Sequence, residues 1–259
     1  MNKIYFIAMC CLAMCLSAYS IDKSIENGHE WVDLGLPSGT KWATCNIGAS
    51  KPEEFGNYYA WGEVTPKDVY DWKTYKYGSS YHELIKYNTE NPYFCYGKNG
   101  FVDGKTTLEL SDDAANFNWG GKWRMPTHDQ QEELVSQCCW VWTESYNNSN
   151  VKGYIVYKAK NSSDKGVKIC EGGAPSSSYS LSDAHIFLPA AGFRYDGDPH
   201  DYRYAHRDGG YYWSSSLYVD NSNYAWYVSF DSDGVYHFEE GDVCSVGSDV
   251  GLSVRPVRK

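Results

Sequence analysis

The chain has 259 residues, of which 17% are aromatic, with 10 Trp and 24 Tyr, so it can bury a sizeable core in one large domain or two small ones. Its formal charge is −10, from 23 basic and 33 acidic side chains. An acidic surface without a basic stripe argues against nucleic acid and against anionic membrane as partners.

Residues 1–20 read as a secretory signal: Lys3 opens it, an apolar run covers 4–16, and Ala18-Tyr19-Ser20 offers a small-x-small cleavage site. The run falls short of the ~20 residues that a membrane crossing takes, so no span is expected. The protein is expected outside the cytoplasm, in the periplasm or at the cell surface. Leu12-Ala13-Met14-Cys15 is a poor lipoprotein box, and lipidation at Cys15 is the minority reading. Of nine cysteines, Cys10, Cys11 and Cys15 leave with the leader. The remaining six allow 15 disulfide connectivities, among which the sequence does not choose. Vicinal Cys138-Cys139 fits no zinc spacing, and free or loosely paired structural thiols are the favoured reading.

A polar lead-in is expected over 21–30 and one domain over 31–259. Trp31-Val32-Asp33-Leu34 alternates as a strand, Leu36-Pro37-Ser38-Gly39 turns, and 42–47 returns. Residues 51–104 read as long loops with short strands, best ordered over 56–61. A single helical turn is expected near 112–116. Thr127 with Gln130 forms a capping box that opens a helix over roughly 128–138, its apolar stripe formed by Leu134, Val135 and Cys138. Trp140 and Trp142 share a strand face, 153–158 reads as another strand, 161–184 as a Ser/Gly-rich loop, and 186–188 as a buried strand.

The last fifty residues mix two kinds of sequence. Trp226, Val228 and Phe230 alternate with Ala225, Tyr227 and Ser229, predicting a half-buried strand with those three as core. Asp231-Ser232-Asp233-Gly234 is turn chemistry, and 235–238 returns as a hairpin partner. Leu252-Ser253-Val254-Arg255 is a short strand that Pro256 ends or confines to an edge. Between these pieces lie Tyr, Ser, Asn, Asp, His and Gly without a core period, the mixture of adaptable binding surfaces. The candidate contacts are Tyr211, Tyr218, Asp220, Asn221, Asn223, Tyr224, Tyr227, Tyr236, His237, Glu239, Asp242 and Asp249.

The blocks VDLGLPSGTKWATCNIGAS, FGNYYAWGEVTP, WGGKWRMPT, EELVSQC, IFLPAAGFR, GGYYWSSS, AWYVSF and GLSVRPVRK stand in this order over residues 31–259. Together they resemble the Fibrobacter succinogenes major paralogous domain, common in gut Bacteroidetes. The resemblance implies an α+β, C-type-lectin-like fold of the formylglycine-generating-enzyme type, with short antiparallel strands, long loops and one or two helices. It also implies strands near Leu34 and Val254 as neighbours in one sheet. Variable proteins of diversity-generating retroelements share that fold and a similar ending. The candidate contacts are compatible with a diversified receptor, since many are reachable from an asparagine codon by changing adenines.

Chemistry has less support than recognition. The formylglycine-generating relatives are copper oxidases with a cysteine pair near the C-terminal end, where this chain has Cys244 alone, so the resemblance stops at the fold. The Glu-Pro-Asn, Gln-Pro-Asp and Trp-Asn-Asp tripeptides of calcium-dependent lectins do not occur, and no GxSxG elbow accompanies the serines. Asp196, Asp198, His200, Asp201, His206 and Asp208 form an acidic, imidazole-containing stretch with no complete metal pattern, favouring a solvated recognition loop. The expectation is a non-enzymatic, cofactor-free and metal-free binding protein for a protein or glycan ligand. The rival classes are a structural component of a surface appendage and, less favoured, an extracellular enzyme on the same fold.

Overall fold

The computed structural model describes residues 23–80, 82–89, 97–196, 208–236 and 245–259. The signal, Cys95, the 197–207 stretch and Cys244 lie outside the described residues. The described chain is mixed α+β, built mostly of short antiparallel strands in open sheets with two α-helices.

β1 (Lys23–Glu26) and β2 (His29–Val32) form a hairpin closed by Asn27 and Gly28 at φ 50° and 81°. Both turn residues are left-handed, the conformation that matches the twist of the flanking strands. The expected lead-in is therefore partly an edge strand. β3 (Lys41–Ala43) pairs with β2, and β14 (Val257–Arg258) pairs with β3, giving the order β1-β2-β3-β14. Here the expectation of neighbouring 34 and 254 strands is corrected. Val257 stands opposite Trp42, because the tight return through Gly39 places β3 between β2 and the chain end.

The largest sheet has six strands. β4 (Tyr58–Tyr59), β9 (Gly210–Leu217), β10 (Tyr224–Asp231), β11 (Gly234–Tyr236) and β13 (Leu252–Ser253) run in the order β11-β10-β9-β13-β4, and β12 (Ser245–Gly247) also pairs with β10. β13 is thus interior rather than an edge. Pro256 does not prevent this, because it lies beyond the two paired residues and its carbonyl accepts from Ala43 N at 2.9 Å. A third sheet, ordered β7-β5-β6-β8, holds β5 (Cys138–Thr143), β6 (Gly153–Lys158), β7 (Lys168–Ile169) and β8 (His185–Pro189).

α1 (Ala114–Trp119) is capped by Asp113, which accepts from the Ala115 and Asn116 amides. α2 (His128–Gln137) opens on the complete Thr127/Gln130 capping box. It packs against β5, β9 and β10.

Alternation along the strands sorts the interior into three cores separated by two sheets. On β10, Ala225 and Tyr227 face a first core with Trp61, Trp123 and Trp213, while Val228 and Phe230 face a second. On β6, Tyr154 and Val156 join that second core, and Ile155 and Tyr157 form a third with Phe187 and Cys139. The expected half-buried β10 is covered on both faces, which makes its backbone a rigid platform. Gly210 shows how tight the packing is, since a Cβ there would lie 2.1 Å from the Phe230 ring.

Trp226 departs from its expected place. Ala225 pairs with Leu217, but Tyr227 pairs with Trp213, so one residue of β10 faces three of β9 across an irregularity. Ser214, Ser215 and Ser216 bow away there, Ser215 N donating to Pro126 O at 2.7 Å and Ser215 O accepting from Leu108 N at 2.9 Å. Trp226 keeps the parity of Val228 but stands beyond the core, half-buried against His128.

Candidate functional site

The predicted contacts fall at the two ends of the β9–β10 hairpin. Eight residues of β9 separate them, roughly 25 Å at about 3.3 Å per residue.

At one end, the 218–223 turn is closed by Tyr218 N to Tyr224 O at 3.0 Å and Tyr224 N to Asn221 O at 2.9 Å. Asn221 Oδ1 accepts from the Asn223 amide at 3.2 Å and from Asn223 Nδ2 at 3.0 Å, the local bonding that makes Asn a turn residue. Thr89 clamps the turn from outside, its amide donating to Ser222 Oγ at 3.0 Å and its hydroxyl to Val219 O at 3.1 Å. Above this frame stands an aromatic group. Tyr218 meets Trp226 edge-on at 4.7 Å, and the His128 ring tilts against the other part of Trp226 at 4.7 Å. Asp220 is exposed and Tyr224 half-buried beside them.

His128 opens α2 and was not singled out by its sequence, although a His just after a capping threonine is a recognisable signal. Burial lowers its pKa, so its neutral form is favoured. His128, Asp129 and Glu132 bring their ligand atoms within 4.8 Å of one another and are the described residues able to hold a metal ion. They occupy the first turns of a helix, whose N-terminal dipole favours the two carboxylates and opposes a cation, so we assign no metal there.

At the other end, Tyr211 packs edge-on against Phe193 at 5.1 Å and lies 6.1 Å from Tyr227, which meets Trp213 at 6.2 Å. Tyr211 and Tyr227 are half-buried against the first core. Burial, with Asp231 nearby, pushes the Tyr211 phenol up to about 12. Tyr236 is 43% exposed, and its hydroxyl donates to Asp231 at 3.0 Å. Close by, Arg194 lies over the Tyr58 ring at 5.1 Å, a pair that sequence pattern did not suggest.

Two of the predicted contacts are corrected. Asn223 is 4% exposed and Asp249 1%, so both belong to the frame rather than to a contact surface. Asn223 O accepts from Ser248 N, and Trp61 N bonds to Ser248 O, which draws the 247–250 turn under the hairpin. Turn residues look alike in sequence whether they bond to solvent or to another turn. His237, Glu239 and Asp242 lie outside the described residues, between β11 and β12, both of which pair with β10. Asp196 is a structural group that accepts from Tyr70 N at 2.8 Å, and Asp208 is exposed.

Residues 141–257 match a family model described as Domain of unknown function (DUF8237). The match runs from within β5 to the start of β14 and contains every predicted contact, but it spans under half of the chain. No curated protein and no solved structure matches.

Proposed function

We propose that this chain is a secreted or surface-exposed ligand-binding protein of the major paralogous type, with a C-type-lectin-like fold, that recognises a protein or glycan through the β9–β10 hairpin. The observation that supports this most is the pairing of a rigid backbone with incompletely buried aromatic rings. Both faces of β10 are covered, yet Tyr218, Tyr224, Trp226 and Tyr236 keep exposed surface along it. Aromatic rings with few rotatable bonds on a fixed support lose little entropy on binding and gain burial when a partner arrives. Val219 and Asp220, exposed at the tip of the 218–223 loop, are where sequence change costs the frame least, compatible with diversification by a retroelement. Among the described residues no helix is long and apolar enough to cross a membrane.

The test is a glycan and protein array probed with the purified domain, followed by titration of any hit with the Tyr218→Ala and Tyr236→Ala variants. Binding that both variants leave unchanged sinks the reading. Turnover of a thiol peptide in the presence of copper would replace it with an enzyme.

A further inference from the structure

The chain contains two Asn-Gly pairs, Asn27-Gly28 and Asn99-Gly100. In such a pair the backbone nitrogen of glycine can reach the carboxamide carbon of the asparagine before it, because no Cβ stands in the way. Sequence makes the two pairs equivalent, and the fold separates them.

Asn27 is tied down. With Gly28 it closes the β1–β2 hairpin, and its Nδ2 donates to Trp119 O at 3.0 Å. The same carboxamide packs on the next turn, where a Cβ on Gly121 would lie 2.9 Å from Asn27 Nδ2. Both neighbours are anchored as well. Glu26 O accepts from Trp123 Nε1 at 3.0 Å, and the His29 ring stacks on Trp119 at 3.7 Å. Attack on Asn27 Cγ therefore requires the carboxamide to leave its acceptor while the hairpin stays paired around it.

Asn99 is exposed in a single turn of 3-10 helix, Lys98–Gly100, in which no residue is buried. Among the described residues nothing bonds to its carboxamide. Its backbone is left-handed at φ 55° and ψ 32°, Gly100 follows at φ 78°, and open space surrounds Gly100. Two bonds close the turn, Gly100 N to Gly97 O at 2.9 Å and Phe101 N to Lys98 O at 3.2 Å. A short exposed turn with no buried apolar group opens at low free energy, which frees the Gly100 nitrogen. The turn's ends stay fixed, since Lys98 N bonds to Leu84 O at 2.8 Å and Asn88 Nδ2 to Phe101 O at 2.7 Å.

We propose that Asn99 is a self-modification site, converted through a cyclic imide to aspartate and isoaspartate, while Asn27 is spared. The Gly100 nitrogen attacks Asn99 Cγ, a new N–Cγ bond forms and the Cγ–Nδ2 bond breaks. The Gly100 amide proton ends on the departing nitrogen, which leaves as ammonia. Water then opens the ring at either carbonyl, so the conversion needs no oxidant or reductant. The product carries one more negative charge, and its isoaspartyl form has a main chain one atom longer inside the turn.

The test incubates the full chain at neutral and at mildly alkaline pH and follows both pairs by peptide mass. The Asn99 peptide is expected to gain about one mass unit and to split into aspartyl and isoaspartyl forms. The conversion should run at least several-fold faster than at Asn27, and faster at the higher pH, because the attacking amide must lose its proton. In guanidinium chloride the two pairs are expected to react at similar rates, since folding alone distinguishes them. Equal rates in the folded chain, faster conversion of Asn27, or an unchanged Asn99 after the unfolded chain has reacted at both pairs would each overturn the proposal.

Discussion

Arg255 donates through Nε to Asn46 Oδ1 at 2.8 Å, across a sequence separation of 209 residues. The same guanidinium reaches Phe187 O in β8, so one side chain joins elements from all three sheets' surroundings: the loop after β3, the β8 strand and the segment between β13 and β14. Replacing Arg255 with Leu strands these buried acceptors, and each unsatisfied group costs ~1–3 kcal/mol. The expected loss is at least ~3 kcal/mol, measured by urea unfolding. Deleting residues 253–259 removes Arg255 together with β14 and is expected to abolish a cooperative thermal transition. A truncated protein that melts like the full one would contradict the arrangement.

Trp226 and Phe230 share one side of β10 but differ in surroundings. Phe230 is 1% exposed, stacks on Tyr212 and meets Tyr154 and Trp140 edge-on. Phe230→Ala is expected to cost ~3–5 kcal/mol, as for other buried aromatics. Trp226→Ala, at a half-buried position beside the bowed serines, is expected to cost less than half of that. Equal losses in melting experiments would place Trp226 in the core after all.

Stability and binding are expected to separate at the exposed tyrosines. Tyr218→Ala and Tyr236→Ala should each change stability by under ~1 kcal/mol while weakening any partner found on the array. Tyr211→Ala and Tyr227→Ala should lower stability more, because their rings already pack against Phe193 and Trp213. Four equal effects would mean that the hairpin has one uniform environment.

Acid sensitivity is expected to centre on Asp112. Burial works to raise its pKa, but the ion pair with Lys86 and the bond from Tyr87 outweigh this and hold it at about 2. A carboxylate depressed on folding contributes stability that is present above its unfolded pKa near 4 and fades as pH falls through about 2. Asp112→Asn should therefore be less stable than the natural chain at pH 5, and the gap should close towards pH 2. Urea midpoints across that range check it, and a constant gap would assign the acid limb to another group.

Local signals were legible wherever a few neighbouring residues decide the backbone. The Thr127/Gln130 box marks the start of α2, alternation marks β6 over 153–158, and Asp231-Ser232-Asp233-Gly234 turns β10 into β11. Asn27-Gly28 carried an equally local hairpin signal within the stretch read as a polar lead-in. The exposure of Asp220 and Tyr236 followed from residue type, because polar turn residues and tyrosines outside a core period fill no position in the hydrophobic cores.

The sequence by itself determined which segments become strand, helix or turn, since capping, alternation and left-handed turn residues act over a few positions. Only the tertiary structure decided which faces meet. Asn223 and Asp249 are buried because two distant turns bond to each other, and Trp226 leaves the core because the three serines opposite it bow out, Ser215 bonding to Pro126 and Leu108 instead of across the hairpin. A cavity lined by His29, Thr44, Cys45 and Trp119 likewise exists only once 28–30, 44–52 and Trp119 converge. These outcomes depend on competition among long-range hydrogen bonds and on the order of strands in three sheets, and no window of neighbouring residues carries that information.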